Sequence, residues 1–162
     1  MDKKLFENLD EQMNMEYESA YIYKAMAAYA AEEDWTGSEH WFNEQAREEI
    51  MHAEKFRNFL HDKGFKISFK GMQAAKTDYK SLLEAFQAAL EHEQLITNNI
   101  KKLYKEAVEK EDYEVQVFLN WFIEEQVEEE ANVGSVVARL EKIGDSTNGL
   151  FMMDKALGKR ED

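Results

Sequence analysis

Glu49 and His52 stand three residues apart within an acidic stretch of the chain, residues 48–54. On an α-helix this spacing places the two side chains on one face, about one turn apart. A carboxylate and an imidazole arranged in this way can bind a hard or borderline metal ion that takes oxygen and nitrogen ligands. Because the same spacing arises by chance in many acidic helices, its meaning depends on the face it occupies and on the residues opposite.

The composition indicates a single helical domain with an acidic surface, which favours cations or only keeps the protein in solution. The 162 residues can bury a sizeable core, and the absence of proline leaves few helix-breaking positions. The absence of cysteine excludes disulfides and thiolate metal sites. A formal net charge of −14 argues against binding to nucleic acid or to an anionic membrane. No apolar run approaches the roughly 20 residues of a membrane span, and residues 1–5 lack the apolar core of a signal peptide, so we expect a cytoplasmic protein.

Apolar residues recur at helical spacing in four long segments and one short segment. They predict helices over residues 3–33, 38–63, 81–110 and 113–143, followed by a short fifth helix at about 148–157. Ser81 with Glu84 forms a capping box before the third helix, and Asp112 can cap the fourth. Ser38, or Thr36 with a glutamate three residues later, is predicted to cap the second.

The connection at residues 64–80 differs from the rest of the chain, because it alternates like a strand near its start and carries no helical stripe. Seventeen residues in an extended path cover about 55 Å, which exceeds the roughly 42 Å length of a 28-residue helix. The connection can therefore run the full length of a bundle, which would make the third helix parallel to the second. The predicted fold is all-α, a four-helix bundle with a long crossover between the second and third helices and a short fifth C-terminal helix.

Polar residues interrupt all four apolar seams near their middles: Glu16 in the first helix, Glu49 and His52 in the second, Glu93 in the third, and Gln126 and Glu129 in the fourth. With the helices running up, down, down and up, these positions lie within roughly 9 Å of one another in height. An unpaired carboxylate is strongly disfavoured in an apolar core, so interruption of all four seams indicates one shared cation site. Oxygen ligands, one imidazole and no thiol favour iron or manganese.

The ligand pattern is close to that of bundle proteins with a carboxylate-bridged di-iron site. Those proteins use one glutamate from each of two helices and a Glu-x-x-His pair from each of the other two. This chain offers three of the four contributions, through Glu16, through Glu93 and through the pair formed by Glu49 and His52. The fourth helix offers Gln126 and Glu129 in place of the second pair.

Several separated motifs resemble those of the non-haem ferritins of bacteria and archaea. They are Asn14-Met15-Glu16-Tyr17 with Tyr23, the stretch at 48–53, Glu91-His92-Glu93, and the stretch at 118–130. The resemblance covers essentially the whole chain, and it implies a ferritin-like bundle that assembles into a hollow shell of 24 identical subunits. It also implies a ferroxidase that oxidises Fe(II) with O2 or H2O2 and stores the iron as a ferric oxo-hydroxide mineral.

The resemblance implies roles in iron binding for most of the acids in the polar seams. Glu16, Glu49 and His52 would hold a first iron, and Glu49 would bridge to a second iron bound by Glu93. Gln126 would lie close to the second iron, either as a ligand or as a hydrogen-bond partner of a ligand. A nearby third iron site would be formed by Glu48, Glu125, Glu128 and Glu129, with Glu129 able to serve both regions, although these acids could instead be a solvated surface.

Three further residues are interpreted against the same pattern. Tyr23 would lie beside the centre, where it could donate a hydrogen bond, supply an electron or simply pack in the core. Trp121 is interpreted as a core residue. Haem-binding relatives carry a methionine where this chain has Ile50, so no haem is expected.

The short fifth helix carries an apolar face, formed by Leu150, Phe151, Met153 and Leu157, with no partner left in the four-helix core. A helix of about ten residues is marginal alone in water. We therefore expect this face to be buried where subunits meet, with folding back onto its own bundle as the alternative.

Two other functions stay open on the sequence. One is a di-iron oxygenase or peroxidase that acts on an organic substrate, which would need a substrate pocket beside the metals. The other is a bundle that only mediates association, with its inner acids satisfied by hydrogen bonds.

Overall fold

The computed structural model describes residues 1–161 and contains five α-helices. They are α1 at Lys3–Glu32, α2 at Thr36–Asp62, α3 at Leu82–Glu109, α4 at Tyr113–Ile143 and α5 at Thr147–Leu157. Within residues 1–161 there is no strand. The α1–α2 hairpin and the α3–α4 hairpin pack against each other, and α5 lies against α2 and α4. The all-α bundle with a short C-terminal helix predicted from the apolar seams is thus confirmed.

Local sequence explains most of the helix ends. Ser81 Oγ accepts a hydrogen bond from the backbone N–H of Glu84 at 3.1 Å, and Asp112 caps α4 in the same way. The Glu84 carboxylate accepts from the backbone N–H of Lys80 instead of closing the box on Ser81. Gly144 follows α4 with a φ of 61°, a left-handed conformation that glycine adopts without steric cost.

The predicted cap of α2 is wrong. Helix α2 begins directly after Trp35, and its own first turn supplies no capping side chain. Instead Asp154 of α5 accepts hydrogen bonds from the backbone N–H groups of Gly37 at 3.1 Å and Ser38 at 2.7 Å. A Cβ on Gly37 would lie 1.8 Å from the carbonyl oxygen of Asp154, so the contact requires glycine. The free N–H groups of α2 are satisfied from a distant helix, which a local capping pattern does not reveal.

The crossover has no regular structure over residues 65–79 and runs along α1. Aromatic rings pair along its path, Phe65 with Phe6, Phe69 with Tyr17, and Tyr79 with Tyr29. The buried Asp10 accepts a hydrogen bond from the backbone N–H of Ser68 at 2.9 Å, which fixes the path near its start. Because the partners advance along α1 from one end to the other, the crossover spans the bundle and α3 runs parallel to α2.

Two apolar clusters fill the bundle, one at each end. One is built around Phe6, Phe56 and Leu119, and the other around Phe42, Phe86 and Leu140. Between them lies a layer of buried polar side chains, which we call the polar layer: Glu16, Glu49, His52, Glu93, Gln126 and Glu129. All six are at most 3% exposed. The interruptions in the four seams therefore meet at one height.

The expectation that α5 has no partner in its own bundle is wrong for one of its faces. Met153 and Leu157 are buried in the apolar cluster that contains Phe42. The opposite face remains open, with Phe151 59% and Met152 74% exposed. Close packing of α5 on the start of α2 explains the fold-back, and the open face leaves apolar surface for another contact. None of the helices in residues 1–161 combines the length and the apolar character needed to cross a bilayer.

Candidate metal centre

A first triad of possible ligands joins α1 to α2 through Glu16, Glu49 and His52. One ligand atom from each residue lies within 4.8 Å of the others. The His52 Nδ1 atom is 3.0 Å from Glu49 Oε2 and 3.9 Å from Glu16 Oε2. A single ion between them could contact all three after small side-chain movements, because metal bonds to nitrogen and oxygen ligands are about 2 Å long. The structure thus brings together the three residues that the sequence assigned to one ion.

A second triad uses Glu49 again, together with Glu93 of α3 and Glu129 of α4. All three carboxylates are buried, and their ligand atoms lie within 4.8 Å of one another. Glu49 therefore belongs to both triads, as a residue that bridges two ions would. Glu129, which the resemblance assigned to the third iron site with a possible share in the di-iron centre, joins Glu93 in this triad. We call the five residues of these two triads the inner centre.

A third triad contains His52, Glu125 and Glu129 and opens toward the surface. Its imidazole contact uses the other ring nitrogen, since His52 Nε2 is 3.9 Å from Glu125 Oε1. The structure does not bring Glu48 and Glu128 into this triad. Glu48 pairs with Arg160 at 3.0 Å, and Glu128 is exposed. We call Glu48, Glu125 and Glu128 the outer acids.

Two glutamine side chains that sequence reasoning did not assign hold the inner carboxylates. Gln12 Nε2 donates to Glu16 Oε1 at 2.8 Å. Gln45 Nε2 donates to Glu129 Oε2 at 2.5 Å and to Glu49 Oε1 at 3.3 Å. Each glutamine precedes a glutamate of the inner centre by four residues on its own helix, a spacing at which helical side chains meet. This i, i+4 pairing is a sequence pattern from which both residues could have been found.

Tyr23 and Gln126 both contact Glu93. The Tyr23 hydroxyl donates to Glu93 Oε1 at 2.6 Å, and burial raises the pKa of this phenol well above its ordinary value. Gln126 Nε2 donates to Glu93 Oε2 at 3.1 Å and to Thr97 Oγ1 at 3.1 Å. Tyr23 therefore acts as a hydrogen-bond donor to Glu93, and Gln126 is arranged to donate a hydrogen bond to the possible ligand Glu93.

The interpretation of Trp121 as a core residue is wrong. It is 37% exposed, and its ring meets the edge of the His52 imidazole with ring centres 5.4 Å apart. The Lys55 ammonium lies 4.2 Å from the centre of the Trp121 ring. Trp121 therefore covers the solvent side of His52 rather than filling the bundle.

Burial sets the protonation of the inner centre. Burial raises the pKa of Glu16 to about 7, that of Glu129 to about 9, and that of Glu49 well above its ordinary value. The negative charge of Glu93 adds to each of these shifts. Burial also lowers the pKa of His52 to about 4, so its imidazole is neutral at pH 7. A neutral imidazole is the form that binds metal ions.

The residues present fit a metal ion. Glu16 Oε2 is buried and receives no hydrogen bond from the residues described. Together with the raised pKa values of the Glu16, Glu49 and Glu129 carboxyls, this unpaired oxygen marks a site that lacks positive charge. A di- or trivalent cation would supply that charge, and oxygen ligands with one imidazole suit iron.

Comparisons with known proteins agree with this arrangement. The family described as "Ferritin-like domain" matches residues 6–143. A bacterial non-heme ferritin of Staphylococcus aureus is 41% identical over 160 residues, which cover 99% of this chain and 96% of the relative. The corresponding protein of Staphylococcus haemolyticus is 39% identical over the same shares of the two chains. Among solved structures, an open-pore ferritin from the archaeon Archaeoglobus fulgidus superposes with a TM-score of 0.98 at 34% identity, covering 99% of each chain.

Proposed function

The chain belongs to the ferritin family, and from that membership we propose that it is a cytoplasmic iron-storage protein with ferroxidase activity. In this proposal it oxidises Fe(II) to Fe(III) with O2 or H2O2 and deposits ferric oxo-hydroxide inside a hollow shell of 24 identical subunits. The observation that carries the proposal is the pair of inner triads that share Glu49 within one subunit. Such a pair can hold two Fe(II) substrate ions side by side, so that both can give electrons to one oxidant.

The side chains of the inner centre would bind the two Fe(II) ions and release protons. Glu16, Glu49 and His52 would hold one ion, and Glu49 would share the other with Glu93 and Glu129. Because the pKa values of Glu16 and Glu49 are raised, these carboxyls must give up protons before they bind a cation. Hard carboxylate oxygens stabilise Fe(III) more than Fe(II), which favours the oxidation.

The third triad would then receive iron on its way out of the inner centre. It shares His52 and Glu129 with the inner triads, so an ion could move between them without leaving protein ligands. Its remaining ligand, Glu125, is 22% exposed and faces the edge of the bundle. This arrangement supports transit rather than storage at the third site.

Exposed apolar surface supports assembly of several subunits. Tyr21, Ile50 and Met72 line a cleft of about 740 Å3 formed by α1, α2 and the crossover, and each is at least 38% exposed. The open face of α5, near the C-terminus, adds Phe151 and Met152. Apolar patches of this kind mark protein contacts. Two separate patches suit a shell in which each subunit has several neighbours.

An oxygenase or peroxidase for an organic substrate finds less support. Such an enzyme needs a substrate pocket beside its metals. The cleft of about 740 Å3 has the size for a small molecule, but no residue of the polar layer lines it. The cleft is therefore better explained as a subunit contact.

Two measurements on the iron-free protein test the proposal. Light scattering should give a particle mass 24 times that of the chain, and anaerobic titration should show two tightly bound Fe(II) per subunit. Admission of O2 should then convert both ions to Fe(III), and further iron should remain with the particle as mineral. Iron binding no greater than that of an unrelated acidic protein would refute the ferroxidase. A mass near one or two chains would refute the shell and favour the oxygenase.

A further inference from the structure

Arg160, just beyond α5, is held by contacts to α2. Its guanidinium lies 4.4 Å from the centre of the Trp41 ring, and Nη1 donates to the Trp41 carbonyl oxygen at 3.1 Å. Its backbone carbonyl lies 2.8 Å from His40 Nε2. The Arg160 side chain is only 15% exposed, so it is a packed group rather than a mobile tail residue.

The docking of α5 fixes where Arg160 can lie. Asp154 binds the first turn of α2 through Gly37 and Ser38, and the Ser38 hydroxyl donates to Asp154 at 2.8 Å. Gly158 approaches so closely that a Cβ on it would lie 3.1 Å from the Cα of Gly37. Arg160 follows two residues after this contact, so its position depends on the packing of α5 on α2.

The guanidinium reaches one acid of the proposed iron path. Arg160 Nη2 is 3.0 Å from Glu48 Oε2. Glu48 directly precedes Glu49 on α2. The pKa of Glu125 is raised mainly by burial and also by the negative charges of Glu128 and Glu48. Glu48 is therefore near the third triad but is turned toward Arg160. A cleft of about 450 Å3, lined by Glu48, Arg160 and Arg139, leaves space in which the Glu48 side chain can turn.

We propose that Arg160 acts as a latch on the third triad, holding Glu48 away from His52, Glu125 and Glu129. An ion at the third triad gains Glu48 as a ligand only by displacing the guanidinium from it. This inference rests on the proposed function, because it assigns a positioning residue to the third site of that same centre.

The latch weakens cation binding at the third triad because it occupies a carboxylate that would otherwise be a ligand. Weak binding at the third triad suits an ion in transit, because a tightly held ion would block the exit from the inner centre. Arg160 would thus set how long iron stays there without touching the inner centre itself.

Titration of the assembled iron-free protein with Zn(II) tests the latch, since Zn(II) binds without being oxidised. Calorimetry should resolve two tight sites and a weaker third site per subunit in the wild type. Arg160→Gln should tighten the third site by about fivefold, as expected for loss of a partly exposed ion pair, and leave the first two unchanged. Arg139→Gln is the matched control, because Arg139 lines the same cleft whereas the ion pair with Glu48 is made by Arg160. Its three affinities should equal those of the wild type.

A double-mutant cycle shows whether the effect passes through Glu48. In a Glu48→Gln background, Arg160→Gln should leave the third Zn(II) affinity unchanged. If Arg160→Gln does not assemble, Arg160→Lys keeps the positive charge but loses the forked contact of the guanidinium to Trp41 and Glu48, and should tighten the third site by about twofold.

The latch is overturned by an unchanged or weaker third site in the Arg160 variants. It is also overturned by an equal gain in Arg139→Gln, by a gain that persists without Glu48, or by a third site absent from every variant. Failure of the proposed function looks different, because the wild type would then lack the two tight sites as well.

Discussion

The inner centre and the outer acids are surrounded by different groups. Glu16, Glu49 and Glu93 are at most 2% exposed, and their hydrogen-bond partners are neutral amides, a phenol and the neutral imidazole of His52. Glu48 is 31% exposed and pairs with the guanidinium of Arg160. Glu125 is 22% exposed, and burial raises its pKa, while the ammonium of Lys55 opposes part of that rise.

The difference teaches how each region balances its negative charge before iron arrives. In the inner centre the carboxyls hold protons, because burial raises the pKa values of Glu16, Glu49 and Glu129. At the outer edge, cationic side chains share the charge. A metal ion must therefore displace protons from the inner centre but a guanidinium from Glu48. The two regions should respond differently to mutation and to pH.

Truncation of an inner ligand should have the largest effect. Glu49→Ala removes a ligand from both inner triads, and His52→Ala removes the imidazole from the first. We expect each to slow the initial oxidation of Fe(II) by roughly 100-fold or more, measured by stopped-flow absorbance. The shell should still assemble, because these side chains lie inside one subunit.

The stability of the iron-free variants provides the control. Removing the Glu49 carboxyl removes a buried polar group whose ionisation is opposed by burial and by the charge of Glu93, so the melting temperature of Glu49→Ala should hold or rise. Glu54→Ala removes an exposed glutamate from the same helix and should change neither rate nor stability. A clear drop in the melting temperature of iron-free Glu49→Ala would mean that Glu49 is structural.

The pH dependence of stability should be the next largest effect. The pKa of His52 is lowered from 6.5 to about 4, so His52 is neutral in the folded state above pH 6.5. The unfolded state loses its remaining His52 protons as the pH rises further, which adds only about 0.4 kcal/mol of stability. The inner carboxyls have raised pKa values, so the folded state binds more protons than the unfolded state from pH 6.5 to 9. The free energy of unfolding of the iron-free protein should therefore fall by a few kcal/mol per subunit over this range. Chemical denaturation at a series of pH values measures it.

Two comparisons link that slope to the inner centre. Glu49→Gln removes one of the titrating carboxyls and should make the decline shallower. Saturation with Zn(II) should flatten it, because the bound metal keeps the carboxyls deprotonated in the folded state. Stability that stays level or rises with pH in the wild type would contradict the proton balance described above.

The sequence predicted the bundle well because each seam is a local pattern, and packing of the four seams against one another forms the core. The length of the crossover was enough to make α2 and α3 parallel, and that relation brought Glu49 and Glu93 to one height. The start of α2 could not be predicted in this way. Its capping group, Asp154, comes from the far end of the chain, and local patterns do not show which distant residue will approach Gly37.

The site was predictable where the ligands interrupt an apolar seam. Glu16 and His52 stand out because a charged or polar group in a core position is costly unless it is paired or binds a metal ion. The outer acids lie off the seams, where a solvated acid costs nothing, so Glu125 and Glu128 looked alike in the sequence. Burial in the structure separates Glu125 from Glu128. Glu48 differs from both because it pairs with Arg160, a residue beyond α5 that no spacing rule connects to α2.

Asp154→Ala should have a moderate effect on the stability of the fold and on the outer acids, and none on the inner centre. It removes the acceptor for the N–H groups of Gly37 and Ser38, which should cost about 1 to 2 kcal/mol of stability. Because α5 then packs less firmly, Arg160 should also loosen from Glu48. Denaturant unfolding measures the first effect, and the third Zn(II) affinity measures the second.

Asp145→Ala is the matched control for that change, because Asp145 is an exposed aspartate just before α5. It should leave both stability and metal affinity unchanged. Equal losses in the two variants would show that the cap at the start of α2 contributes nothing measurable.

The smallest effect should separate two of the outer acids from each other. Glu125 belongs to the third triad, whereas Glu128 is exposed and belongs to none of the three. In Glu125→Ala the inner triads are complete, so the initial rate of Fe(II) oxidation should stay within about twofold of the wild type. The number of Fe(II) ions oxidised per O2 should change, because an ion held beside the inner centre can supply a further electron to O2. Glu128→Ala should keep the wild-type ratio, measured with an oxygen electrode. An unchanged ratio in Glu125→Ala would make the third triad a solvated acidic face, and an equal change in both variants would trace the effect to surface charge rather than to a ligand.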